Sequence, residues 1–207
     1  MISPSGPHHA IALLLRSRRI GPWLAIALGS TAALRGIAGL ATEAFTDRPD
    51  VSAAFGFYAV TIAVACAGPG LAGPDLELDR AAARDWRPLR LAHFVLIAGL
   101  VSALVATAGS SQQTLGPAAQ ILRNTVGLTG VLALGAVALG VARCWVPGVL
   151  LTVAAPFLAF RFGGDPPAWA HVITWPVEIA ASRVSWVMAL ALATVGTAAY
   201  SLLGPRA

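Results

Sequence analysis

The sequence predicts an all-α integral membrane protein, and three observations carry that expectation. Apolar residues make up 57% of the chain and charged residues only 11%, against roughly 25% charged in an ordinary soluble domain. Long apolar runs recur, divided by short polar or proline-containing links. The 207 residues leave room for about six runs of about 20 residues, each long enough to cross ~30 Å of hydrocarbon. A single domain of six transmembrane helices follows, with an N-terminal interfacial helix and a broken segment before the last span.

The elements read in order as follows. Residues 8–19, HHAIALLLRSRR, are too short to span; apolar first and basic at the end (Arg16, Arg18, Arg19), they suit a helix lying in the membrane interface. Because the charge follows the apolar residues instead of preceding them, this is not the pattern of a secretory signal. Gly21-Pro22 opens the first span, about 21–42, since proline is tolerated in a helix's first turn. A polar link with Glu43, Asp47, Arg48 and Asp50 leads to the second span, about 51–72. A polar island follows, and then the third span, about 91–110. A Ser/Gln/Pro loop precedes the fourth, about 124–142, and Arg143 marks a tight turn into the fifth, about 145–161. The stretch 162–184 holds Pro166, Pro167, Trp169, Trp175 and Pro176 and is too broken to cross, so it reads as a re-entrant or interfacial segment. The last span is about 185–203, ending at Gly204-Pro205.

Six spans place both termini on one side. With the N-terminus inside the cell, Arg16, Arg18, Arg19, Arg80, Arg84, Arg87, Arg90, Arg143 and Arg206 are cytoplasmic, and Arg35, Arg48, Arg123, Arg161 and Arg183 lie toward the outside. That asymmetry obeys the positive-inside rule for a plasma-membrane protein. The segment 162–184 then faces outward. Small residues at four-residue spacing, Ala32 with Gly36 and Ala136 with Gly140, allow close helix packing.

All fourteen basic residues are arginine. Without lysine there is no Walker A loop and no Schiff-base chemistry. The net charge of +5 reflects arginines facing anionic lipid and not nucleic-acid binding. Cys66 and Cys144 sit in or beside apolar runs as packing residues. His8, His9, His93 and His171 share no metal-ligand spacing, and no hydrolase motif occurs, so neither a metal site nor a catalytic residue is expected.

Four of nine acidic and four of fourteen basic residues lie in the island, Gly73 to His93. Asp75 is placed to cap a helix, Glu77 and Asp79 to meet its positive end, and Arg84 and Arg87 its negative end, with Pro88 as the stop. At about 100° per residue, Leu78, Ala82 and Trp86 fall within about 80° of one another, while Arg87, Arg80 and Arg84 gather on the opposite side at about 180–240°. This two-faced helix over 75–87, including Leu76, either rests on lipid or presses into a groove of a cytoplasmic partner.

The order of these parts, with the wording of PDLELDRAAARDWRPLRLAH, RNTVGLTGVLALG and SWVMALALATVGTAAYSLLGPR, resembles the membrane (permease) subunit of type-2 ABC exporters, of the short actinobacterial kind. The resemblance covers nearly the whole chain and implies that 75–87 is the coupling helix, docking on a separate cytoplasmic ATPase through Asp75, Leu76, Glu77, Leu78, Asp79, Arg80, Arg84, Trp86 and Arg87. It further implies that 8–19 is the interfacial helix and that a second permease subunit, identical or related, completes a dimer exporting a hydrophobic or amphipathic compound. ATP and Mg would be bound by the ATPase, and no cofactor by this chain. Arg35, Glu43, Glu178 and Arg183 are the candidates for pathway or dimer contacts; Glu178 and Arg183, five residues apart, are poorly placed to pair with each other. Two other classes stay open: a non-transporting immunity or assembly factor that uses the same helix to bind lipid, and a proton-coupled carrier, against which the scarcity of acids within the spans argues.

Overall fold

A computed structural model describes residues 20–44, 49–71, 87–109, 116–163 and 167–206. Every regular element among them is helical: α1 (Ile20–Ala44), α2 (Pro49–Cys66), α3 (Arg87–Gly109), α4 (Ala118–Ala138), α5 (Val146–Phe162), the single turn α6 (His171–Thr174) and α7 (Arg183–Leu203). Two 3-10 turns, Gly68–Leu71 and Val141–Arg143, follow α2 and α4. By length and composition α4, the stretch Val141–Phe162 and α7 can each cross a membrane. The chain is therefore all-helical with membrane-spanning character. The described apolar parts of α2 and α3, Ala54–Cys66 and Phe94–Val105, are shorter. The interfacial stretch 8–19 and residues 75–86 of the island lie outside the described residues.

Several boundaries differ from those read in the sequence, each for a local reason. The apolar run 51–72 does not stay α-helical, because Gly68-Pro69-Gly70 turns it into a 3-10 turn after Cys66 and Pro69 has no N–H to continue the ladder. The third helix begins at Arg87, four residues before the expected 91; at Pro88 the missing proline N–H costs nothing and its fixed φ suits the first turn. The fourth helix starts at Ala118, six residues before the expected 124, so Arg123 sits within it. It ends at Ala138 because Gly140 takes φ 85°, a conformation that side chains resist.

The core is organised around α4. Two-thirds of its apolar window (67%) is buried within the chain, against 22% for α7 and 11% for the stretch holding α5. Its largest helix partner is α7, with α2, α3 and α5 on its other sides. The α4–α7 pair is parallel. Arg123, near the start of α4, bonds Ile179 just ahead of α7; Gly130 meets Leu192 and Gly196 midway; and Ala136 accepts from the Arg206 N–H beyond the end of α7 at 3.0 Å. A parallel pair needs a helix returning between its members, and α5 supplies it.

Glycine makes this contact. A Cβ on Gly130 would strike the Leu192 carbonyl, and one on Gly196 would strike the Gly130 carbonyl, so the two backbones touch reciprocally. Further along α4, a Cβ on Gly127 would enter the Trp175 ring and one on Gly135 the Cys144 backbone. Close approach lets dispersion and Cα–H···O contacts replace side-chain packing, as membrane helices require. Of the small residues singled out in the sequence, only Ala136 is buried at a contact of α4. Ala32 and Gly36 are exposed on α1, nothing lies within 4 Å of a Cβ at Gly36, and Gly140 is a turn residue.

Gly130→Ala or Gly196→Ala forces a methyl against backbone that cannot rotate away. Each is expected to cost about 1–3 kcal/mol, read as a lower thermal unfolding midpoint in detergent. Gly29→Ala, at a site with nothing within 4 Å, is expected to be neutral or to stabilise by up to about 1 kcal/mol.

Candidate functional site

At the amino-terminal end of the α4–α7 pair, the segment 167–182 folds back across both helices and does not cross. Its helical turns, from Ala170 through Val177, leave carbonyls at their carboxy-terminal end, where a helix presents partial negative charge. Arg123 answers them. Its side chain is fully buried and donates from Nη1 to the Ile179 carbonyl at 2.9 Å, from Nη2 to Pro176 at 3.2 Å and Glu178 at 2.9 Å, and from Nε to Asn124 Oδ1 at 3.3 Å. Asn124 Nδ2 adds a second donor to the Pro176 carbonyl at 2.9 Å. The guanidinium fork thus takes the place of a water cap. Trp175, also fully buried, lays its ring over Gly127 just below this clasp.

The Glu178 carboxylate points the other way, into its own segment. Oε1 meets His171 Nδ1 at 2.5 Å and accepts from Thr174 Oγ1 at 3.1 Å; Oε2 accepts from Ser182 Oγ at 2.7 Å and Ser185 Oγ at 2.5 Å. Burial raises its pKa, but hydrogen bonds from Ser185, His171, Ser182 and Thr174 together outweigh burial and bring it down to about 2. An ionised carboxylate only accepts, so His171 carries its proton on Nδ1. Ser182 also caps α7, accepting from the Ser185 N–H at 3.3 Å. The guanidinium of α4 and the carboxylate of the 167–182 segment thus meet the same turn from different sides, each satisfied by its own hydrogen bonds.

The opposite end is fastened differently. Tyr200 Oη, on α7, donates to the Leu71 carbonyl at 2.5 Å, and both residues are 1% exposed. The 3-10 turn carrying Leu71 also rests on the α4–α5 connection: a Cβ on Gly68 would lie 2.6 Å from Cys144 Sγ. After α7, Gly204 takes φ 71° and the chain turns under α4. There the Arg206 carbonyl accepts from the Val141 N–H at 3.3 Å, and Arg206 Nη1 donates to the Ala138 carbonyl at 3.2 Å. Between α2, α4 and α5 a crevice bordered by Thr61, Leu128, Leu132, Cys144 and Trp145 has about 10 Å³ of free volume, room for about one water. It is too small for a transported compound.

The sequence-predicted candidates are distributed unevenly over this frame. Arg35 and Glu43 lie on α1, Glu43 in its last turn and not in a link. Glu178 forms the centre of the polar turn, and Arg183, exposed, begins α7 without an ion pair to it among the described residues. Arg16, Arg18, Arg19 and the island positions Asp75, Leu76, Glu77, Leu78, Asp79, Arg80, Arg84 and Trp86 lie outside the described residues, whereas Arg87 opens α3. Arg123, Asn124 and Tyr200 were not singled out by the sequence. The first read as one more arginine lying toward the outer side, and the other two drew no reading of their own. Comparison with protein-family models, with characterised proteins and with solved structures gave no match.

Arg123→Met removes guanidinium donors to three carbonyls of the fold-back turn. It is expected to cost about 3 kcal/mol or more and to open residues 167–182 to proteolysis well before global unfolding. Glu178 titrates below its ordinary value of 4.5 in the fold. Its stabilisation is therefore complete above about 4.5 and lost as pH falls toward about 2. Glu178→Gln is expected to flatten that acid limb in a thermal-unfolding series against pH.

Proposed function

We propose that the chain is the membrane subunit of a type-2 ABC exporter, crossing the plasma membrane six times with both termini cytoplasmic. It pairs with a second permease subunit and couples through 75–87 to a separate ATPase that binds ATP and Mg. One observation of the sequence carries the reading: eight charges, at a spacing that would make a two-faced helix, stand between the second and third apolar runs of a chain otherwise very sparing with charge. A cytoplasmic partner gives that concentration of charge a use. The frame is compatible with it. The parallel α4–α7 pair, with α5 returning between them, is the arrangement that fourth, fifth and sixth spans produce. The fold-back of 167–182 then lies on the outer face and the Leu71–Tyr200 end on the cytoplasmic one.

In this reading, closure of the ATPase pair moves the 75–87 helix, and the helices respond as a two-state assembly biased by nucleotide. The crevice between α2, α4 and α5 is too small for cargo, so the pathway is assigned to the space between two subunits. Hydrophobic and amphipathic compounds fit such a pathway, because its walls would be the apolar faces that single subunits leave exposed.

The test is co-purification with an ATPase followed by Arg80→Glu with Arg84→Glu. The charge reversal is expected to abolish complex formation and membrane-subunit stimulation of ATP hydrolysis. Survival of both would refute docking through this helix. Proton-driven uptake by the isolated chain in vesicles would refute the exporter reading as a whole.

A further inference from the structure

Among the described residues, the end of the α4–α7 pair that holds Gly140 carries positive charge and no acid. The described acids belong to the other end. Glu43 closes α1 and Glu178 sits in the fold-back turn, while α2 runs from Asp50 there to the 3-10 turn bonded by Tyr200 here. Two arginines stand at the Gly140 end. Arg143 closes the turn between α4 and α5, is exposed, and its side chain has no hydrogen bond or ion pair among the described residues. Arg206 is brought to it by the tail. Gly204, at φ 71°, turns the chain under α4, where the Arg206 N–H donates to the Ala136 carbonyl at 3.0 Å and the Arg206 carbonyl accepts from the Val141 N–H at 3.3 Å. The backbones of Arg206 and Val141 thus lie side by side, with Arg143 two residues on. Nη1 of Arg206 donates to the Ala138 carbonyl at 3.2 Å. That bond pins the guanidinium and leaves Nε and Nη2 without an acceptor among the described residues.

The surroundings are those of a membrane surface. The three helical stretches long and apolar enough to cross a membrane all reach this level: α4 and α7 end here and α5 begins. Trp145 is half exposed, with its indole N–H on the Ala142 carbonyl at 3.0 Å, as suits a ring at headgroup depth. Leu139 and Leu203, each one residue before a turning glycine, are exposed and offer apolar surface to acyl chains. α5 starts without a side-chain cap, so its first turn adds partial positive charge beside Arg143.

We infer that Arg143 and Arg206 form a binding site for the phosphate of one anionic phospholipid at the membrane surface. Guanidinium groups take phosphate oxygens through paired N–H donors. The Arg206 side chain is already held by Ala138, so little of its freedom is lost when the lipid arrives. Arginines scattered over a surface attract anionic lipid diffusely. Two arginines joined through the Val141–Arg206 bond make a single place for one headgroup, with apolar surface next to it for the chains. The bound lipid bridges the α4–α5 turn and the tail after α7. The site requires only that this end meet the membrane surface, so it stands or falls separately from the exporter reading.

The experiment uses the full chain in neutral detergent, with bound lipid counted by native mass spectrometry during titration with phosphatidylglycerol or phosphatidylcholine. One phosphatidylglycerol is expected to bind about thirtyfold more tightly than phosphatidylcholine, and Arg143→Gln with Arg206→Gln to remove that preference, at about fivefold for each arginine. Arg161→Gln with Arg183→Gln, at exposed arginines of the other end, is the control and is expected to keep it. No preference in the unmodified chain, or a loss in the control as large as in the test variant, overturns the inference. Glycerol phosphate at the same concentration is expected to leave the lipid bound; displacement makes this a site for free phosphate and overturns the lipid assignment. If the double variant does not fold, since Arg206 also bonds Ala138, Arg143→Gln alone decides. Binding about fivefold weaker supports the site, and unchanged binding overturns it.

Discussion

The contact between Gly130 and Gly196 is the constraint on which the remaining architecture depends. Two parallel helices in an apolar medium gain little from hydrophobic burial, because lipid is as good a neighbour as leucine. They must gain from proximity, and proximity here means backbone against backbone. Once α4 and α7 are that close, their register is fixed to within one residue, since sliding either helix would bring a side chain into the gap. The connecting segments then have defined end points. α5 has to return the chain, the 167–182 segment has to bridge to the start of α7, and the tail after Gly204 arrives beneath α4.

The two ends of this pair are fastened by different chemistry. At the amino-terminal end, charge is the agent: a buried guanidinium gathers three carbonyls, and a carboxylate of the same turn is ringed by hydroxyls and an imidazole. The guanidinium and the carboxylate do not pair directly with each other among the described residues, so the desolvation of each is offset by its own hydrogen bonds. At the carboxy-terminal end the bonds are a phenol on a carbonyl, main-chain bonds of Gly204 and Arg206, and one guanidinium bond from Arg206 to the Ala138 carbonyl.

What was legible in the sequence was what composition and periodicity control. The helical membrane character, the turn at Arg143 and helices over the apolar runs could be read from hydropathy and proline. Arg123 could not, because an arginine at the edge of an apolar run looks the same whether it reaches for headgroups or for a fold-back turn some 53–56 residues away. Its acceptors are main-chain carbonyls, which no sequence displays. The glycine contacts were hidden for a similar reason. In a chain with 21 glycines, spacing alone does not say which of them face a backbone; Gly36 has open space and Gly130 has none.

The clasp at Arg123 bears on how the chain is made. Synthesis runs from the amino end, so α4 is complete before the carbonyls of Pro176, Glu178 and Ile179 exist. During that interval its guanidinium has no protein acceptors from that turn, and the hydrocarbon interior supplies none. Until about fifty further residues have been added, that side chain has only water, headgroups or the insertion machinery to draw on. Its acceptors and α7, the helix against which the glycines of α4 pack, then arrive together.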